Sequence, residues 1–137
     1  EITASGLADG GAHMKMICDA SMPTFMLSFW ARDRTRGPTL PLEHVVNKLS
    51  LKNAQLYGMN DRGQIAPGKR ADINVIDFDK LSLHMPHIAH DLPKGSPRML
   101  QGSTGYRATM VRGVVTRRDD VETGARPGRL VRAKVAA

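Results

Sequence analysis

The sequence predicts an α/β chain in which one short strand and several helices come first and strands alone follow. Three observations carry this. Residues 2–8 form an apolar run, the segments 23–31 and 41–57 repeat their apolar side chains at helical spacing, and from Gly63 onward Gly and Pro punctuate short alternating runs. A chain of 137 residues is long enough for one ordinary domain with a core of its own.

Each element has its local reasons. Ile2-Thr3-Ala4-Ser5-Gly6-Leu7-Ala8 reads as a short buried strand ending at Asp9, and Gly10-Gly11 then permit a sharp turn with backbone close to a ligand. Pro23 opens a helix to about Ala31, in which Met22/Met26 and Phe25/Phe29 recur at i,i+4; this stripe reads as core. Arg32 to Pro38 is a charged loop. Pro41 and Glu43 open the next helix, whose apolar face is Leu42, Val45, Val46 and Leu49. Ser50 reads as the N-cap of a further helix through Leu56, stopped by Gly58. Between Gly63 and Asp77 a turn, an apolar run and the strand Ile73–Ile76 have the spacing of a hairpin, with Pro67-Gly68 suited to a type II turn. Tyr106–Val111 and Val114–Arg117 flank Arg112-Gly113 as a second hairpin, and Thr123–Arg132 is an extended arm.

The net charge of +7 is unevenly placed. Residues 1–93 hold ten Lys/Arg and ten Asp/Glu, whereas residues 94–137 hold ten Lys/Arg against Asp119, Asp120 and Glu122, which gives the whole +7. One function class consistent with this is a non-catalytic basic module contacting nucleic acid or an acidic partner through residues 94–137. Tyr106 is the only aromatic residue after Phe78, too few for stacking on bases, so a solvated arginine-rich face is the preferred reading. Cys18 is the single cysteine, so no internal disulfide forms; a buried, inert thiol in a reducing, cytoplasmic setting is expected. No apolar run approaches the roughly 18 residues of a membrane span, so no membrane partner is expected. His84, His87 and His90 are evenly spaced, but Pro86 breaks any continuous helical presentation to a metal.

The order Gly63-x-Ile65-x-Pro67-Gly68-x-x-Ala71-Asp72, followed by apolar residues and Asp77, resembles the end segment of metal-dependent amidohydrolases. Gly6-Leu-Ala-Asp9-Gly-Gly-Ala-His13 resembles the strand that delivers the catalytic aspartate in that superfamily. Further short segments, among them Asp19–Thr24, Asp61–Gly63, His90–Pro93, Gly113–Thr116 and Thr123–Arg132, are similar to the D-aminoacylase branch, the N-acyl-D-amino-acid deacylases. Asp120 departs from the pattern, where Gly is expected at a hairpin tip.

This resemblance implies a fold: the end of a (β/α)8 metal-dependent hydrolase barrel, followed by part of a small β-sandwich domain. Residues 1–60 would be the last barrel strand and helices, and residues 61–137 the C-terminal part of the sandwich. Such a barrel needs about 250 residues, so the chain is expected to be the C-terminal part of a longer enzyme, with the rest of the same polypeptide as its packing partner. The implied cofactor is zinc, with its other ligands upstream, since the His-x-His that opens the family's metal site is absent here. The implied catalytic residue is Asp9, as general base and then acid, and as a candidate metal ligand; His13 is a candidate substrate-lining residue. The implied substrate is a small-molecule amide, an N-acyl-D-amino acid. Positions 17–22 lack the arginine that this branch uses on the substrate carboxylate, which leaves other amides and cyclic amides open. Alone, the chain is expected to bind zinc poorly, to be inactive and to associate through unpaired strand edges. The resemblance also puts His90 in a surface connection of the β-domain.

Overall fold

A computed structural model describes residues 3–6 and 15–131. It is a mixed α/β structure with antiparallel sheets. The helical part begins with a 3-10 turn at Asp19–Ser21, α1 at Met22–Phe25 and a π-type helix at Met26–Asp33, whose wider bonding is visible where Arg34 N–H reaches Phe29 O at 2.9 Å. Next come α2 (Leu42–Leu49) and α3 (Leu51–Leu56). The α3 terminus is a Schellman motif: Gly58 has φ +66°, its N–H bonds Gln55 O at 3.0 Å, and Met59 N–H bonds Ala54 O at 2.8 Å.

Several expectations change here. Residues 3–6 join no strand, because no ladder partner lies beside them among the described residues. Ser50 does not cap α3 with its side chain; its hydroxyl bonds back to Val46 O, closing α2 instead. The buried face of the first helices is Thr24, Leu27 and Ser28, not the Phe25/Phe29 stripe. The two small hydroxyls tolerate burial because each is bonded, Thr24 to Tyr106 and Ser28 to Thr24 O. Phe25 and Phe29 stack on each other, 5.0 Å between centroids, on the exposed side.

The β part contains β1 (Ile73–Ile76), β2 (Ser82–Leu83), β3 (His87–Leu92), β4 (Ser96–Leu100), β5 (Ser103–Thr104), β6 (Tyr106–Val111), β7 (Val114–Arg118) and β8 (Val121–Glu122). The largest sheet has the order β1-β6-β7-β8; β2 pairs β5 and β3 pairs β4. The expected hairpin over 63–77 does not form. Its second strand, β1, pairs instead with β6, Ile73 opposite Met110, while Ile65 stays exposed. The Pro67-Gly68 turn is present: Gly68 has φ +79° and Lys69 N–H bonds Ala66 O. The hairpin of β6 and β7 turns through Arg112 (φ +54°) and Gly113 (φ +77°), the pair of positive angles of a type I′ turn.

Leu27, Val45 and Leu81 form the core, with Met26, Leu40, Leu42, Ile76, Phe78 and Tyr106 packed against it. Helical and β parts thus share one apolar cluster. Arg32 ties them further, donating to the carbonyls of Phe78 and Leu81. Large apolar side chains remain on the surface, among them Met16, Ile65, Met85 and Leu130.

Candidate functional site

Asp9 and His13 lie outside the described residues, so the site is built from the segments on either side of them. Upstream, the backbone of Thr3–Gly6 is held by α2 and α3. Lys48 Nζ donates to Thr3 O at 2.8 Å, and Asn53 Nδ2 donates to Ser5 O at 2.8 Å. Long side chains that donate to carbonyls can fix a segment that has no strand neighbour. The Oδ1 of Asn53 is buried and finds no partner among the described residues.

Downstream, the segment Ile17–Thr24 is bonded to the β part at two points. Ser21 Oγ donates to Gln101 Oε1, and the hydroxyls of Thr24 and Tyr106 lie 2.7 Å apart. Tyr106 is in turn set by Asp120. The Asp120 carboxylate accepts from the N–H of Gly105 at 3.1 Å and of Tyr106 at 2.9 Å. Asp119 and Asp120 have φ +45° and +65°, so the β7–β8 tip is a second turn with both central residues left-handed. Where Gly would only relax the turn, Asp120 also satisfies two backbone donors; the departure noted in the sequence has a function in the fold. Gly105 itself is buried with φ +105°, and a Cβ there would lie 2.8 Å from Leu81 Cα.

Between the Ile17–Thr24 segment and the β part is an open cleft of ≈ 580 Å³, inside the range of about 300–1,000 Å³ usual for small-molecule sites. Cys18 lines it and is half-buried rather than fully buried. The sequence reading missed the cleft because its walls come from segments some eighty residues apart, as the Ser21–Gln101 separation shows. The unexpected Asp120 was the one local signal.

Among the described residues no group of three or more His, Cys, Asp or Glu side chains could hold a metal ion. That includes His84, His87 and His90; the last lies in β3 rather than in a connection, and its Nδ1 is 3.1 Å from Gly95 O. Two carboxylates away from the cleft are held ionised by their neighbours. Burial by itself would raise the Asp72 carboxyl, but the Arg112 N–H, Arg70 and Arg62 together hold it below the usual carboxylate range. Asp33 is likewise lowered, by its hydrogen bonds from Arg32. In the basic C-terminal part, Arg98, Arg107 and Arg126 pair with Asp91, Asp119 and Glu122. These ion pairs suit a solvated face, and a nucleic-acid module is not favoured.

The amidohydrolase family profile matches residues 4–117, a span that includes Asp9 and His13, and the chain belongs to this family. That membership points to a hydrolase function, in a family whose members commonly use metals. No curated protein and no solved structure matches it. No helix among the described residues is long and apolar enough to cross a membrane.

Proposed function

We propose that the polypeptide containing this chain is a zinc-dependent amidohydrolase that cleaves the acyl C–N bond of N-acyl-D-amino acids. The observation that carries the reading is the family match over residues 4–117; the D-aminoacylase assignment is supported by the ordered segments quoted above. In this reading residues 1–60 end a (β/α)8 barrel and residues 61–137 belong to a β-sandwich, packed against the rest of the same polypeptide. The exposed Met16, Ile65 and Met85 support such a covered surface.

Asp9 is the proposed general base and acid. Its carboxylate accepts a proton from the water that attacks the amide carbonyl, then delivers that proton to the departing nitrogen as the C–N bond breaks. His13, four residues on, lines the substrate. No cluster of the described residues fits a metal ion, so zinc in this reading rests on residues outside them.

Hydrolysis of N-acetyl-D-amino acids by the intact protein tests the proposal. Asp9→Asn is expected to lower kcat by about 10²–10⁴-fold, the usual contribution of general acid–base catalysis. Retention of most activity removes Asp9 from the mechanism. A wild-type protein that hydrolyses other amides but no N-acyl-D-amino acid overturns the substrate assignment.

A further inference from the structure

The cleft between Ile17–Thr24 and the strands β4–β7 has a consistent chemistry. Its surface is more apolar than polar: Ile17, Leu83 and Met99 line it, while the polar groups of Ser21 and Gln101, and of Thr24 and Tyr106, are bonded to each other. Two arginines also line it, and they differ. Arg98 is occupied, with both of its bonded nitrogens on the Asp91 carboxylate at 2.7 and 2.6 Å. Arg117 is exposed, donates one N–H to the backbone carbonyl of Asp120 at 2.8 Å, and has no carboxylate partner among the described residues. Asp120, the one acidic residue among the described lining residues, has both oxygens engaged by backbone N–H groups. A mainly apolar surface beside a guanidinium that has no carboxylate partner among the described residues is suited to a ligand with a short hydrocarbon body and a single anionic end.

We propose that this cleft binds a small amphiphilic monocarboxylate, with Arg117 holding the carboxylate and the mainly apolar surface taking the hydrocarbon. A bound molecule touches both the Ile17–Thr24 segment and the sheet, so it adds to the Ser21–Gln101 and Thr24–Tyr106 bonds that already join them. Ligand that binds only the folded protein also raises its unfolding temperature.

Calorimetric titration of the intact protein with hexanoate, and in parallel with the neutral isostere hexanamide, tests this. Saturable hexanoate binding is expected, at least about tenfold tighter than hexanamide, the scale of one lost charge-assisted hydrogen bond. Arg117→Met should abolish that preference and Arg117→Lys should keep most of it. Both are exposed substitutions whose folding is checked by unchanged thermal unfolding without ligand. Equal binding of acid and amide, absence of saturation by hexanoate, or a preference that survives Arg117→Met would each overturn the proposal.

Discussion

Replacing Asp120 by Gly sets two effects against each other, and the structure says which one wins. Asp120 sits at φ +65°, a left-handed conformation that costs an L-residue roughly 1–2 kcal/mol, less for Asp than for most. Gly would recover about 1 kcal/mol of this while adding flexibility to the unfolded chain, which takes part of the gain back. The loss is larger. The carboxylate accepts two N–H bonds, from buried Gly105 at 3.1 Å and half-buried Tyr106 at 2.9 Å. Bonds to a charged acceptor contribute about 1.5–3 kcal/mol each, and part-exposure of Asp120 places these at the low end. Two such bonds less the relieved strain leave a net destabilisation of about 2 kcal/mol. Urea unfolding of wild type and Asp120→Gly, compared at equal m-value, measures the difference. A turn governed by backbone preference alone predicts the opposite sign. An Asp120→Gly protein as stable as wild type, or more so, would refute the argument that the carboxylate organises residues 105 and 106.

Gly105→Ala should be among the most damaging small substitutions. Its Cβ would meet Leu81 Cα at 2.8 Å, Leu81 N at 3.0 Å and Asp77 O at 3.1 Å, in a φ of +105°; strain and overpacking together are expected to cost about 3 kcal/mol or more in the same unfolding measurement. Asp72 should make stability depend on acid. Its folded-state pKa lies below the unfolded value of about 3.9, so its contribution is present above that value and is lost as pH falls through it toward the folded pKa. Between about pH 5 and 2, wild type should lose more stability than Asp72→Asn; parallel curves would show that the contacts of Asp72 with Arg70 and Arg112 contribute nothing.

What the sequence reveals of this fold depends on the distance over which each element is decided. The β6–β7 hairpin was legible because its alternation and its Arg112-Gly113 turn are both local. The α3 stop at Gly58 was legible for the same reason. The strand β1 was legible as a strand, but its partner was not: β6 lies more than thirty residues further on, and the nearby apolar residue Ile65 gave a false local partner. Apolarity alone does not choose the buried face of the first helices, where Phe25 and Phe29 are exposed. Thr24 and Ser28 are inside through hydrogen bonds that only the folded chain supplies, one of them to Tyr106 across the β part.

The candidate site follows the same division. Asp9 is identified through the resemblance of a short local sequence, while what surrounds it is assembled from distant parts. The segment before it is bonded to side chains of α2 and α3, through Lys48 and Asn53. The segment after it is bonded to the β part, through Ser21 to Gln101 and Thr24 to Tyr106. The two flanks are therefore fixed by different bodies of the fold, joined by the shared core of Leu27, Val45 and Leu81. A reacting carboxylate misplaced by about 1 Å can lose a hundredfold in rate, so under the role proposed for Asp9 the residues that set the relation between these bodies would act on the site without touching it. Asp120 is one of them. It sets the backbone of Tyr106, and the Tyr106 hydroxyl meets Thr24 within the segment downstream of Asp9. A hairpin tip more than a hundred residues away in sequence is thereby coupled, through two hydrogen bonds, to the segment downstream of the candidate catalytic residue.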